Sequence, residues 1–350
     1  MKKQLLLSGV LIATLLLLNC GVSQKSTSTE TTNTDILINS DTASSYSETI
    51  TAGELKESLY TYASDEFEGR EAGEPGQKKA VEFLKNFYIS HSISSLLPDN
   101  NYFQKVPKSY LPSGIKDSEN VIAYIRGNEK PDEYIIISAH LDHEGIKNGE
   151  IYNGADDDGS GTVSILEIAE AFKIAQDKGN GPKRSVIFFH ATAEEKGLLG
   201  SQYFADVNPI VPLENIVTNL NIDMIGRINP EHEKKPNYIY LIGSDRLSTE
   251  LHNVSETVNK KYTNLTLDYT YNSLDDPNKF YSRSDHYNFA KHNIPVIFYF
   301  SGTHVDYHRP TDTPEKIEYD LLEKRTKLIF HTAWELANRE NKVVVDKIIK

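Results

Sequence analysis

The chain has 350 residues, of which 38% are hydrophobic and 25% are charged, a balance typical of one large globular domain or two small ones. Its formal net charge of −13 argues against a nucleic-acid partner, because phosphate binding needs clustered lysine and arginine side chains. The only cysteine, Cys20, excludes an internal disulfide.

The N-terminus has the pattern of an export signal. Two lysines precede an apolar run over residues 5–18, which is too short for a comfortable membrane span. Cys20 follows this run in the sequence LLNC, which resembles a bacterial lipobox, although Asn19 replaces the usual small residue. We therefore predict a lipoprotein-type signal peptide over residues 1–19, with an ordinary signal peptide or an uncleaved anchor as the alternatives. The predicted location is periplasmic or lipid-anchored at the outer membrane of a bacterium, with the lipid on Cys20 as the only membrane attachment.

The region after the signal changes character at residue 51. Residues 20–50 are rich in serine, threonine and asparagine and lack apolar periodicity, so we predict a flexible tether there. From residue 51, apolar residues recur at helical spacing in TAGELKESLYTYAS and in PGQKKAVEFLKNFYIS. We predict one folded domain over residues 51–350, with no internal repeat.

Predicted strands and helices then alternate along the chain. The strands cover 120–127, 133–140, 184–193, 216–224, 238–243 and 294–300, and the helices cover 160–176, 197–205, 248–262 and 315–340. This order predicts an α/β fold, a three-layer sandwich in which helices flank a mixed, largely parallel central sheet. In such folds the ligand site lies beyond the carboxyl ends of the strands.

Histidines and carboxylates follow the predicted strands. These residues are His140, Asp142, Glu194, Glu195, Asp223, His304, Asp306, His308 and Asp312, and a triple aspartate over 156–158 lies in the loop NGADDDGSGT. Each motif alone has an ordinary interpretation, as a surface histidine, an acidic turn or a helix start. Together, two histidines and at least three carboxylates at one sheet edge suit zinc, and they are too many for one tetrahedral ion. They suit two ions about 3.5–4 Å apart.

Six motifs resemble those of a known family. SAHLDHEG, GADDDGSGT, ATAEEKGLLGS, NIDMIG, RSDHYNF and DYHRPTDT occur in the order and approximate spacing of the M28 family of zinc-dependent aminopeptidases. The resemblance covers about residues 55–340 and is to the bacterial branch with a lone catalytic domain. It implies a hydrolase with two zinc ions per chain that removes the N-terminal residue from peptides. The expected partners are therefore peptides with a free N-terminus.

The resemblance also implies a ligand for each metal position. His140 and Asp223 are expected to bind one zinc ion. Glu195 and His308 are expected to bind the other, and Asp157 is expected to bridge the two.

Three further residues receive catalytic roles from the resemblance. Glu194 matches the general base, which takes a proton from the attacking water and later passes it to the leaving amine. Asp142 matches the carboxylate that orients His140 through its other ring nitrogen. Tyr307 matches a tyrosine that, in some members, donates a hydrogen bond to the developing oxyanion.

Other polar residues in the motifs are predicted to lie around the site. We expect His143 to be a residue of the rim and not a metal ligand, and Asp156 to be exposed to solvent. We also expect a cis peptide bond after Asp157, as in structures of the family. The Ser-Asp-His segment over 284–286 is expected to support the ligands from the start of a helix, because members of a nucleophilic triad rarely lie side by side in sequence. The substrate pocket is assigned to loops between residues 225 and 285.

Other functions stay open at this point. Glutaminyl cyclases share the fold and several motifs but use one zinc ion, whereas carboxypeptidases and dipeptidases of the same superfamily are peptidases of different specificity. A catalytically dead, lipid-anchored binding protein is a more remote alternative, since every expected ligand and the base are occupied by competent residues. The sequence leaves the oligomeric state and the side-chain preference undetermined.

Overall fold

The structure, a computed structural model, describes residues 40–347. The predicted signal peptide, the predicted lipidation site Cys20 and residues 20–39 of the predicted tether lie outside the described residues. Within the described part of the chain, no helix is long and apolar enough to cross a membrane.

Helices and strands alternate along the described chain. The helices are α1 (Ser40–Ser47), α2 (Ala52–Tyr62), α3 (Pro75–Ser90), α4 (Gly161–Asp177), α5 (Leu199–Gln202), α6 (Thr249–Val258), α7 (His286–Ala290) and α8 (Tyr319–Asn338). The strands are β1 (Phe103–Val106), β2 (Ser118–Ile125), β3 (Lys130–His140), β4 (Gly145–Lys147), β5 (Glu150–Tyr152), β6 (Arg184–Ala191), β7 (Ile216–Ile222), β8 (Tyr238–Ile242), β9 (Thr266–Asp268) and β10 (Val296–Phe300). Each strand predicted from the sequence is present within a few residues of its expected bounds.

Eight strands within residues 40–347 form one sheet in the order β1-β2-β6-β3-β7-β10-β8-β9, and β4 and β5 form a separate hairpin. The four central strands, β6, β3, β7 and β10, run parallel to one another. On either side, β2 is antiparallel to β6 and β8 is antiparallel to β10. The prediction of a mixed, largely parallel central sheet is confirmed.

Side chains of the sheet alternate between two apolar cores. On β3, Ile135 and Ile137 pack in one core, whereas Ile136 packs in the other, because successive side chains of a strand point to opposite faces. The first core also contains residues of α1, α2, α3, α4, α6 and α8. The second contains Phe204 and residues of α7. The fold is therefore the predicted three-layer sandwich.

Residues 40–50 belong to the folded domain. Ala43 and Tyr46 on α1 are buried, and Ile50 is fully buried. The Tyr46 ring lies 5.6 Å from the ring of Trp334 on α8. The prediction of a tether up to residue 50 is wrong for this segment, because a short serine-rich helix with two buried apolar residues gives no periodic signal.

Candidate metal centre

The predicted ligands are brought together because the four central strands are parallel and neighbouring. His140 is the last residue of β3, and Asp223 follows the end of β7. Glu194 and Glu195 follow β6, and the loop after β10 carries His308. Parallel strands end at the same edge of a sheet, so these side chains share one side of the molecule.

Asp157 lies between the two predicted metal positions. Its Oδ1 is 3.1 Å from His140 Nε2, and its Oδ2 is 3.0 Å from His308 Nε2. On one side, His140 Nε2 is also 3.6 Å from Asp223 Oδ1. On the other side, His308 Nε2 is 3.3 Å from Glu195 Oε2. Asp157, the predicted bridging residue, is therefore the carboxylate that lies close to both His140 and His308.

The turn that carries Asp157 is irregular and buried. It spans Ala155–Ser160, between the β4–β5 hairpin and α4, and all six of its residues are buried. The peptide bond between Asp157 and Asp158 is cis, as expected. Asp158 Oδ2 accepts a hydrogen bond from the backbone N–H of His140, and its Oδ1 accepts from those of Gly161 and Met224. The side chain of Asp158 therefore ties the turn to the ends of two strands.

Two further side chains support the predicted ligands. Asp312 Oδ2 accepts hydrogen bonds from the backbone N–H groups of Asp156 and Asp157, at 3.0 and 3.1 Å. Ser284 Oγ donates a hydrogen bond of 2.6 Å to Asp223 Oδ2. The segment 284–286 directly precedes and starts α7, and Ser284 is bonded to Asp223 and not to His286, so its geometry is not that of a nucleophilic triad.

The ionisable side chains shift each other's pKa values strongly. Burial alone would raise the pKa of Asp157, but the imidazoles of His140 and His308 hold it well below its usual range. Burial would lower the pKa of His308, but Asp157 and Glu195 raise it to about 10. For Glu195, the effect of the imidazoles of His143 and His308 exceeds that of burial, and its pKa is lowered to about 2. The carboxylates thus retain a negative charge that a divalent cation can neutralise in place of imidazole protons.

The donor set fits two metal ions. Ligand atoms of His140, Asp157 and Asp223 lie within 4.8 Å of one another, as do those of a second group, His143, Asp157 and Glu195. A third group joins Glu195 and His308 to Glu144. Imidazole nitrogen and carboxylate oxygen are ordinary zinc ligands, and adjacent groups that share a carboxylate suit a dinuclear site.

Glu194 lies beside the donor groups without belonging to them. It lines a cleft together with the five predicted ligands and Tyr307. Burial, and the nearby charges of Asp223 and Glu195, hold the pKa of Glu194 well above its usual range. A perturbed carboxyl group in a cleft is a candidate acid or base.

Apolar side chains also line the cleft, and we call them its apolar wall. They belong to Met224, Phe280, Phe298 and Phe300, and Arg283 and Thr303 line the cleft as well. Phe298 and Phe300 belong to β10, so the assignment of the pocket to loops between residues 225 and 285 is only partly correct. The contribution of β10 was missed because its apolar residues are also those expected of a buried strand.

The sequence profile of peptidase family M28 matches residues 120–333, which is more than half of the chain. The chain belongs to peptidase family M28.

Relatives of this M28 peptidase include proteins described as aminopeptidases and as carboxypeptidases. It is 32% identical to a probable leucine aminopeptidase of Trichophyton verrucosum over 220 residues, which cover 59% of this chain and 55% of the relative. It is 37% identical to probable glutamate carboxypeptidase LAMP1 of Arabidopsis thaliana over 105 residues, covering 30% of this chain and 14% of the relative. The chain therefore spans about half or less of the length of these two relatives.

The fold is shared with the solved structure of an aminopeptidase. The crystal structure of Legionella pneumophila LapA aminopeptidase matches with a TM-score of 0.67 and 20% identity, over 87% of this chain and 76% of that one. At this identity the likeness concerns the fold alone.

In this M28 peptidase the side chain of Asp142 does not contact His140, although a contact was predicted. His140 Nδ1 lies 3.0 Å from the backbone carbonyl of Asp142. The carboxylate of Asp142 instead accepts a 3.0 Å hydrogen bond from the backbone N–H of Glu194. The prediction was right about the residue and wrong about the atom, because a motif shows which residue is near a ligand and not which of its groups makes the contact.

Asp156 and His143 are buried, and both predictions of exposure are wrong. Asp156 has no exposed surface, its Oδ1 accepts a hydrogen bond from the backbone N–H of Gly226, and its Oδ2 is 3.2 Å from His304 Nε2. His143 also has no exposed surface and points to Glu195. Both residues lie in irregular backbone, where the direction of a side chain cannot be deduced from strand or helix periodicity.

Arg70 is a buried residue of the centre that sequence patterns missed. It is 1% exposed, and its guanidinium donates hydrogen bonds to the backbone carbonyls of Leu141, Asn153 and Gly154. These carbonyls belong to the segments after His140 and before Asp157. The short motif DEFEGREAG around Arg70 contains closely spaced glycines, but nothing in it identifies the carbonyls that the arginine binds.

Proposed function

We propose that this chain is a zinc-dependent aminopeptidase with two metal ions, which removes the N-terminal residue from peptides. One observation carries the proposal. A single cleft is lined by the five predicted ligands, among which Asp157 lies close to both His140 and His308. The same cleft is lined by a further carboxylate, Glu194, which belongs to none of the groups of possible metal ligands. A site that only binds metal has no need of that additional carboxylate.

In this proposal each ion has its own ligands. One ion is held by His140 and Asp223, and the other by Glu195 and His308, with Asp157 shared between them. The ions would supply Lewis acidity for the attack of water on the peptide carbonyl.

Glu194 is the proposed general base. Its carboxylate takes a proton from the attacking water and then passes it to the leaving amine. The hydrogen bond from its backbone N–H to Asp142 Oδ1 supports the position of the residue. Burial raises its pKa, which favours retention of the proton between the two transfers, and a nearby divalent cation favours the ionised form that accepts it.

The charges of the cleft suit a substrate with a free N-terminus. The carboxylates of Glu194 and Asp223 attract an α-ammonium group, whereas an acylated N-terminus has no charge to offer them. Tyr307, whose ring stacks on that of His308 at 3.9 Å, is the proposed donor to the oxyanion. The apolar wall would receive an apolar first side chain.

The neighbouring glutamates provide a matched test. With zinc present, the wild type should release the first residue of short peptides, and a chelator should abolish this reversibly. Glu194→Gln should retain both metal ions and lose activity by at least about 100-fold, the usual effect of losing a general base. Glu195→Gln, which changes the adjacent residue in the same way, should lose one ion. A fully active Glu194→Gln variant would show that the proposed mechanism is wrong.

A panel of substrates separates the alternatives. Similarity to a glutamate carboxypeptidase favours carboxypeptidase action as the second candidate. N-terminally blocked peptides that are cleaved at the C-terminus would support it, and cleavage of free but not blocked peptides would exclude it. Cyclisation of N-terminal glutamine with one zinc ion per chain would instead support a glutaminyl cyclase.

We also propose that the protein is exported and anchored by lipid on Cys20. The supporting observations are the two lysines, the apolar run over residues 5–18 and the sequence LLNC. Full-length protein expressed in a bacterium should partition with membranes, and Cys20→Ser should not be lipidated. Recovery of the two proteins in the same soluble fraction would contradict the anchor.

A further inference from the structure

His143 is a third histidine at the metal centre. It is fully buried, and its Nδ1 lies 2.9 Å from Glu195 Oε1 and 3.8 Å from Asp157 Oδ2. Its ring meets that of His308 edge to face, with the centroids 5.7 Å apart. Two imidazoles therefore flank the carboxylate of Glu195, one at each oxygen.

The distances around His143 bracket those expected between two donors on one metal ion. In a tetrahedral zinc site with bonds of about 2.0–2.2 Å, neighbouring donor atoms lie about 3.3–3.6 Å apart. The two distances from His143 Nδ1 to the carboxylates lie on either side of this range. They are also comparable with the 3.0 and 3.3 Å distances that His308 makes with the same two carboxylates.

Well-directed hydrogen bonds do not account for the side chain of His143. A buried histidine in a core normally satisfies its ring nitrogens with hydrogen bonds. Among the described residues, neither ring nitrogen of His143 has a hydrogen-bond partner with acceptable geometry, and Glu195 Oε1 also lacks one. Two ligand atoms that are directed at a common metal ion lie close together without pointing at each other. His143 Nδ1 and Glu195 Oε1 have this arrangement.

The backbone makes room for this imidazole. A Cβ atom on Gly154 would lie 2.5 Å from His143 Cγ and 2.6 Å from Cδ2. Gly154 also has a φ of 57°, in the left-handed region that favours glycine. The residue that begins the turn carrying Asp157 is therefore one whose lack of a side chain leaves space for the ring of His143.

We propose that His143 is a metal ligand, and that the ion held by Glu195 and His308 takes two imidazoles. The inference rests on the proposed metal centre and extends it, because the family resemblance assigns only His140 and His308 as histidine ligands. It does not depend on peptide hydrolysis. A wild type that binds two ions but cleaves no peptide would contradict the proposed function and leave the role of His143 open to the test below.

Cobalt(II) allows the bound imidazoles to be counted. The full chain, loaded with cobalt in place of zinc, should show three paramagnetically shifted imidazole N–H signals in its proton NMR spectrum, and His143→Gln should show two. Two signals in the wild type would overturn the proposal. This count uses the wild type alone and so stands even if the variant does not fold.

Zinc affinity distinguishes a ligand from a residue that only orients Glu195. Loss of an outer hydrogen-bonding partner weakens metal binding by about 10–100-fold. His143→Gln should weaken the binding of one of the two ions by more than that, as measured by competition with a chelator. The affinity for the other ion should stay within a few-fold of the wild-type value. A smaller loss would overturn the proposal.

A second buried histidine provides the matched control. His190 is also fully buried, but it lies on β6 with its Nε2 2.6 Å from the hydroxyl of Tyr88. His190→Gln removes a buried imidazole away from the metal centre, so it should retain three shifted signals and wild-type zinc affinity. Equal losses of zinc affinity in both variants would show that the effect of His143→Gln is general destabilisation, which would contradict the ligand assignment.

Discussion

Glu144 Oε1 lies 3.3 Å from His308 Nδ1, the ring nitrogen opposite the one that faces Asp157 and Glu195. Lys147 of the β4–β5 hairpin donates a hydrogen bond to the other carboxylate oxygen of Glu144. A carboxylate at the far nitrogen of a ligating imidazole fixes its tautomer and its orientation. The geometry therefore makes Glu144 a positioning residue for His308.

Glu144→Gln should weaken zinc binding at the His308 position. We expect a loss of about 10–100-fold, because the amide removes the charge that polarises the imidazole. The matched control is Glu150→Gln, which makes the same change at an exposed position of the same hairpin. Competition with a chelator measures both variants. Identical zinc affinities for them would refute the positioning role.

Much of the metal centre could be predicted because its ligands follow strands with clear patterns. The apolar run before His140 identifies a buried strand, and parallel neighbours bring Asp223 and Glu195 to the same edge. The bridging position of Asp157 came only from the family resemblance, because the turn that holds it is neither helix nor strand.

Side-chain directions in irregular segments could not be predicted. His143 was expected at the rim of the site and Asp156 in solvent, yet both side chains are buried. Asp156 meets Gly226 and His304, which are 70 and 148 positions away. Such contacts depend on how loops fold over each other, and no local periodicity reports that.

Arg70→Met should destabilise the protein and weaken metal binding together. The substitution removes the guanidinium donor from the carbonyls of Leu141, Asn153 and Gly154. Leu141 keeps a hydrogen bond from the Tyr62 hydroxyl, and Gly154 keeps one from a backbone N–H, so among the described residues the carbonyl of Asn153 is the one left without a donor. An unsatisfied buried group costs about 1–3 kcal/mol, so we expect a net loss of about 1–3 kcal/mol in the free energy of unfolding. Denaturant titration of the metal-free protein and zinc titration of the folded protein give the two values.

Arg184 is the control for the effect on the metal. It is equally buried and donates to the backbone carbonyls of Leu336, Arg339 and Glu340, at the other end of the sheet strands from the ligands. Arg184→Met should lower stability without changing zinc affinity. If both variants kept the zinc affinity of the wild type, Arg70 would have no role in ordering the ligand loops.

Phe280→Ala should reduce the preference for large apolar first residues. The ring forms part of the apolar wall of the cleft. Under the proposed function, its loss would remove contacts that a leucyl side chain would make and an alanyl side chain would not. We expect kcat/KM for a leucyl peptide to fall by about 10–100-fold, as for the loss of apolar contacts in a specificity pocket. The value for the matching alanyl peptide, measured on the same variant, should change far less. An equal fall for both peptides would place the ring outside the subsite for the first residue.

Glu167 makes stability depend on pH at a position away from the metal centre. It lies on α4 and is 3% exposed, and burial, together with the charges of Glu54 and Glu170, raises its pKa to about 8. In the unfolded chain this carboxyl ionises near its ordinary value of 4.5. Between these two values the folded protein keeps a proton that the unfolded protein releases, so stability falls as pH rises through this window.

Glu167→Gln should remove this pH dependence. Glutamine cannot ionise, so the variant should be more stable than the wild type by on the order of 2–3 kcal/mol at pH 7 and about equally stable at pH 4.5. Glu57→Gln, on the exposed face of α2, makes the same change in charge without burial and should follow the wild type at every pH. Denaturant midpoints of the metal-free proteins from pH 4.5 to 8 test this. A wild type and a Glu167→Gln variant with parallel profiles would show that Glu167 is ionised in the folded protein.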